Sequence, residues 1–109
     1  MQVRLSTIGR HTGEPRTVTL YAFETPDGAL VITGSRGGSA HDPRWALNLR
    51  DHPKATVKVG SEERDVTARE VSGNERERLW ELVTREFPLY ETYQRRTTRL
   101  IPLFVLEEH

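Results

Sequence analysis

The stretch TVTLYAFETPDGALVITGS, residues 17–35, sets two apolar, β-branched runs on either side of Thr-Pro-Asp-Gly. Branched and aromatic side chains fit a pleated, half-buried surface, while the fixed φ of proline and the free φ of glycine supply a tight reversal. The pattern therefore predicts a hairpin, residues 17–24 against 29–35. Toward the N-terminus, residues 3–8 alternate apolar and polar, and GRHTGEPR, residues 9–16, puts two glycines and a proline before the next run. That reads as strand, turn, strand.

Toward the C-terminus, the second run leads into RGGSAHDP, residues 36–43, and then into RWALNLRD, residues 44–51. Pro43 suits a first helical position, Asp42 suits an N-cap, and Pro53 ends the helix. KATVKVGSEERDVTAREV, residues 54–71, alternates on both sides of residues 60–63 and predicts a second hairpin, with Ala55, Val57, Val59, Val66 and Ala68 facing inward. Ser72 and Glu75 have capping-box spacing, and Leu79, Trp80, Leu82, Val83 and Phe87 recur at helical intervals after them. A further short helical segment is expected in LYETYQRRTTR, residues 89–99. A last strand is expected in LIPLFVLEE, residues 100–108, where Pro102 indicates an edge or a strand start. About six short strands with helices after the third and fifth favour an antiparallel barrel or α+β sheet over βαβ units.

The 109 residues suit one domain, expected to span residues 1–109. Only 35% are apolar against 29% charged, so the interior should be modest and leaves room for a ligand or a second subunit to complete it. A homodimer is a candidate assembly. The 16 basic and 16 acidic residues cancel, which argues against nucleic acid bound through net charge. All the basic residues except Lys54 and Lys58 are arginine. The absence of cysteine excludes disulfides, a thiolate nucleophile and a zinc ribbon. No window approaches the about 20 apolar residues of a membrane span and no signal-peptide core is visible, so a cytoplasmic protein is the expectation.

The four histidines, His11, His41, His52 and His109, show neither HExxH nor paired spacing, and no metal site is expected. GxSxG is absent, and GRHTGEPR departs from GxxxxGK[ST] while joining strand to strand, which sets aside hydrolase and nucleoside-triphosphate readings. Three groups remain: Arg10, His11 and Arg16 in the first turn; Ser35, Arg36, Gly37 and Gly38 in the second loop; and the aromatics Trp45, Phe87, Tyr90 and Tyr93. Paired guanidinium donors can hold a phosphate or carboxylate, and successive bare amides at Gly37 and Gly38 would form an anion-binding concavity. A plainer reading stands beside this one, in which the glycines only supply positive φ, the arginines are solvated and the aromatics only pack.

In order and spacing, four blocks resemble the deazaflavin-dependent nitroreductases, an actinobacterial family of split-barrel flavin and deazaflavin oxidoreductases. They are LSTIGRHTGEPRTVTLYAF from Leu5, GSRGGSAHDPRWALNLRDHPKATV from Gly34, ERERLWELV from Glu75 and FPLYETYQRRTTRLIPLFVLE from Phe87. The resemblance covers nearly the whole chain. It implies a mainly β (α+β) fold, a split β-barrel of the FMN-binding type with two to three inserted helices. It also implies the 8-hydroxy-5-deazaflavin coenzyme F-420, which carries a hydride at C5 and an anionic tail of a phosphodiester and glutamates.

By that resemblance Arg10, His11 and Arg16 grip the phosphate and tail, while Ser35, Arg36, Gly37 and Gly38 bind an anion and the deazaflavin edge. Trp45, Asn48 and Leu49 fall beside the cofactor pocket, and Phe87 lines the substrate side. Tyr90 and Tyr93 are the expected proton donors or substrate contacts. The implied reaction is hydride transfer to a small-molecule acceptor, a quinone or nitroaromatic. FMN is the alternative cofactor, and a non-catalytic deazaflavin or fatty-acid binding protein is the alternative class. The chain departs from the family twice. His11 stands where lysine or arginine is usual, which implies tail binding that is weaker near neutral pH or pH-dependent, and Phe87 stands where nitroreducing members can carry tyrosine.

Overall fold

The computed structural model describes residues 1–108, leaving His109 outside the described residues. Strand β1 (Gln2–Ile8) buries Val3, Leu5 and Thr7 at alternate positions and pairs antiparallel with β2 (Pro15–Tyr21), Leu5 opposite Val18. Their turn closes through Gly9 N–H on Glu14 O at 2.8 Å and Gly13 N–H on Gly9 O at 2.8 Å. Gly13 there has φ 73°, a left-handed conformation that glycine adopts without a Cβ penalty.

The hairpin expected between residues 17–24 and 29–35 forms only in part. The first run divides at Ala22: β2 pairs with β1, and only the two residues of β3 (Phe23–Glu24) pair with β4 (Leu30–Thr33). The physical reason lies in Ala22, fully buried, whose small side chain permits a bend. Its N–H donates to Met1 O at 2.7 Å and its carbonyl accepts the N-terminal ammonium at 2.8 Å.

The second hairpin forms as expected from β5 (Lys54–Val59) and β6 (Glu62–Glu70), with Ala55 opposite Val66. With β7 (Leu103–Glu108), the seven strands run in the order β2-β1-β5-β6-β7-β4-β3, antiparallel throughout. The two ends of that order, β2 and β3, are separated by one residue of chain, so the sheet curls round on itself as a barrel. Pro102 lies immediately before β7, and the edge reading fails because β7 lies between β6 and β4. Its carbonyl accepts Gly34 N–H at 2.9 Å.

Helix α1 (Arg44–Asp51) follows β4, while α2 (Gly73–Glu86) and α3 (Leu89–Arg95) follow β6. Alternation explains the core. Ile32, Phe104 and Leu106 point into the barrel with Val3, Leu5, Val57 and Val66, closed by Trp45, Ala46 and Leu49 of α1. Val31, Leu103 and Val105 point outward and are covered by Val83 of α2 and Tyr90 of α3. Strands β4 and β7 are apolar at consecutive positions because both their faces are buried.

Two expected caps do not form. Asp42 gives its carboxylate to Arg50 and Arg99, and Pro43 takes the N-cap position of α1 with no side-chain bond. Ser72 is the N-cap of α2 but makes no side-chain capping bond, and the Glu75 carboxylate, which would close the box, turns to Arg69 at 2.6 Å. No helix among the described residues is long and apolar enough to cross a membrane.

Candidate functional site

A groove runs between β2 and α1. At one end is a cavity of about 650 Å³ lined by Thr7, Arg10, His11, Thr12, Arg16 and Thr17 from β1, β2 and their turn, and by Arg44, Trp45 and Asn48 from α1. At the other end is a cavity of about 480 Å³ bounded by β2 through Tyr21, by Thr33, Ser35 and Arg36, and by Tyr90. Val18, Arg44 and Trp45 border both, so the two cavities meet along one wall.

The wall is rigid for identifiable reasons. Trp45 is 8% exposed and meets Phe104 edge-on, ring centroids 5.7 Å apart. Asn48, also buried, donates from Nδ2 to Thr7 Oγ1 at 3.1 Å and accepts Arg10 N–H on Oδ1 at 3.1 Å, which fastens the β1–β2 turn to α1. A buried amide held at both ends orients without fluctuating.

The loop at the far end begins with a single 3-10 turn, Arg36–Gly38, in which all three residues have positive φ: 43°, 63° and 84°. The expected concavity of two bare amides is corrected here. Gly38 N–H donates to Ser35 O at 2.9 Å, so among the described residues only the Gly37 amide of the pair is left without a partner. Gly38 is needed for packing instead: a Cβ there would lie 2.7 Å from Tyr93 O and 2.9 Å from Arg96 Cβ.

Among the described residues, Arg10, Arg36 and Arg44 have no carboxylate within salt-bridge distance, and Arg16 has only exposed Glu14 at 3.6 Å, a pair worth little in water. The groove therefore carries unneutralised positive charge along its length in a chain of zero net charge. Elsewhere charge is spent internally. Arg50 binds Glu70 at 2.8 and 2.9 Å and Asp42 at 2.7 Å. Hydrogen bonding to Glu70 pushes its guanidinium above the ordinary range, with Asp42 adding and burial opposing. At the groove's far end, burial pushes the Tyr90 phenol up, partly offset by the Thr33 hydroxyl.

The family model described as F420H(2)-dependent quinone reductase matches residues 1–108. The chain belongs to this family. It is similar to a Mycobacterium tuberculosis H37Rv protein named as an F420H(2)-dependent quinone reductase, 37% identical over 105 residues, covering 94% of this chain and 70% of the relative. Among solved structures it resembles an F420-H2 dependent reductase, FDR-A, with TM-score 0.87, 37% identity and coverage of 97% and 93% of the two chains. A second, described as a domain-swapped dimer, has TM-score 0.87 and 37% identity and covers 97% of this chain and 79% of that one.

Within this family member the residues singled out from sequence divide. Arg10, His11, Arg16, Trp45 and Asn48 line one cavity, and Ser35, Arg36, Trp45 and Tyr90 the other. Gly37 and Gly38 lie in the loop behind Arg36 and line neither cavity. Leu49 is 2% exposed in the barrel core, so it supports α1 from within. Phe87 and Tyr93 pack around Tyr90, centroids 4.7 and 6.1 Å away, and line neither cavity. Sequence reasoning missed Arg44, Tyr21 and Arg99. Arg44 adjoins Trp45 at the first turn of α1, and that adjacency was the available signal. For Arg99, in a polar stretch far from the loop it binds, the sequence holds no signal.

Proposed function

We propose that the chain binds the 8-hydroxy-5-deazaflavin coenzyme along the groove and reduces a quinone there, as a single coenzyme-binding domain. The observation carrying this reading is the continuity of the groove, cationic from Arg10 through Arg44 to Arg36 with the Trp45 wall between. A long, multiply anionic ligand with a flat ring system matches that distribution, since guanidinium groups pair phosphate and carboxylate bidentately and an aromatic wall offers a dry contact surface. Family membership and the names of the relatives support the same choice.

The coenzyme supplies the hydride carried at its C5. Arg10, His11 and Arg16 hold the phosphodiester and tail, and Ser35 and Arg36 hold the ring edge, so that binding energy is converted into orientation. Trp45 excludes water from the ring. Tyr90 is a phenol, protonated across the neutral range, and burial pushes its pKa further up; it presents that proton to an acceptor oxygen in the far cavity. Phe87 and Tyr93 hold the Tyr90 ring in place. A homodimer belongs to this reading, supported by the domain-swapped dimer among the structural neighbours.

Fluorescence titration with the oxidised deazaflavin coenzyme, beside FMN, tests binding, and oxidation of the reduced coenzyme across a panel of quinones tests turnover. Saturable deazaflavin binding with quinone-dependent oxidation is the expected result. Binding of FMN alone would transfer the site to a flavin, and tight deazaflavin binding without turnover would make this a binding protein.

A further inference from the structure

Arg99 lies in the connection between α3 and β7, 14% exposed, and uses its entire guanidinium fork on one loop. Nε donates to Ser39 O at 2.8 Å, Nη2 to Ser35 O at 2.8 Å, and Nη1 to Asp42 Oδ1 at 2.7 Å. Those three acceptors bracket Arg36, the residue that borders the far cavity. Besides this grip, the loop is held by the close approach of Gly38 to Tyr93 O and Arg96 of the α3 end and by a few weak bonds. Its 3-10 turn buries no residue, its internal bonds are Gly38 N–H on Ser35 O, Ser39 N–H on Arg36 O and a long His41 N–H on Ser39 Oγ at 3.4 Å, and Arg96 reaches Gly37 O only at 3.5 Å. Arg36 moreover sits at φ 43°, where a side chain with a Cβ is disfavoured and persists only if its surroundings impose it.

We propose that Arg99 is a positioning residue: by gripping Ser35, Ser39 and Asp42 it holds Arg36 in its left-handed conformation with the guanidinium directed at the groove. Asp42 extends the grip, because its second oxygen takes Arg50 of α1 at 2.7 Å and Arg50 in turn takes Glu70 of β6. The loop carrying Arg36 and the helix carrying Trp45 and Arg44 are thereby tied to one ionic chain that ends on β6. Arg99 touches no groove surface itself, so its effect on a ligand runs through Arg36. A planar fork satisfying two carbonyls and a carboxylate is a geometry that lysine, with one compact ammonium, cannot reproduce.

This inference rests on the anion-binding reading of the groove, and a double-mutant cycle separates the two. Dissociation constants for the oxidised deazaflavin coenzyme are measured for the parent, Arg36→Ala, Arg99→Lys and the double variant, with circular dichroism and thermal melts confirming that each folds. Arg99→Lys keeps the charge and guards against the misfolding that Arg99→Ala invites. The expectation is that Arg36→Ala weakens binding about tenfold in the parent but less than about threefold once Arg99 is lysine. Equal losses in both backgrounds, or no loss from Arg36→Ala in the parent, would overturn the positioning role while leaving coenzyme binding intact. A parent that binds no deazaflavin would instead overturn the reading of the groove.

Discussion

The Asn48 carboxamide donates to the Thr7 hydroxyl at 3.1 Å, joining the middle of α1 to the end of β1 with both side chains buried. The same side chain receives the Arg10 N–H, so one residue holds the cationic turn against its helical wall. Asn48→Leu, similar in volume, leaves the buried Thr7 hydroxyl without its donor. A loss of about 1–3 kcal/mol in denaturant unfolding is expected. An unchanged midpoint would show that the turn is held by something else.

Gly37 and Gly38 share positive φ but differ in surroundings. A Cβ at Gly37 meets nothing within 4 Å, whereas at Gly38 it meets the Tyr93 carbonyl at 2.7 Å. Gly37→Ala should therefore cost about 1–2 kcal/mol of backbone strain alone. Gly38→Ala should cost more, because backbone cannot swing aside as a side chain does. Parallel thermal melts of the two variants check the ranking, and equal shifts would refute the close approach to α3.

How much of this was legible in the sequence depended on whether the signal was local. The β5–β6 hairpin and the positions of the helices were readable, because alternation and helical spacing are properties of neighbouring residues. The bend at Ala22 was not: residues 17–24 form one unbroken β-prone run, and the bend depends on backbone bonds to Met1, remote in sequence. Asp42 and Glu75 misled for a related reason. Asp42 lies one residue before the N-cap Pro43 and Glu75 lies in the first turn of α2, and both carboxylates pair with the charged partners Arg99 and Arg69 instead of backbone amides. At the site, the turn and loop residues Arg10, Arg16 and Arg36 were found through resemblance and composition, while the Arg99 grip, made across 57 to 64 positions of chain, left no trace in pattern.

Arg44 borders both cavities, is exposed, and has no carboxylate partner among the described residues. Removing it costs the fold nothing obvious, so its role can be read in isolation. Arg44→Ala should raise the coenzyme dissociation constant by about tenfold, or about 1.4 kcal/mol, with an unchanged melting temperature. The loss should shrink as salt rises, since an exposed charge is screened over about 10 Å at 0.1 M ionic strength. A salt-independent loss would point to shape and not charge.

Tyr90 offers the most direct test of the chemistry. A phenol keeps its proton through the neutral range, and burial raises this one further, with Thr33 opposing and Tyr93 and Tyr21 adding slightly. Tyr90→Phe keeps the ring and its edge-on contacts with Phe23 and Phe87 while deleting the proton. If that proton reaches the reduced acceptor, kcat should fall by about a hundredfold with KM little changed. The parent should also lose activity only above the ordinary phenol value of about 10, a limb that the variant lacks. The sign for stability runs the same way: the folded chain holds this proton more tightly than the unfolded one, so the contribution is complete below the ordinary value and is lost as pH rises through the raised one. A variant with unaltered kcat and pH profile would leave proton delivery to water and reduce Tyr90 to a packing residue at the mouth of the groove.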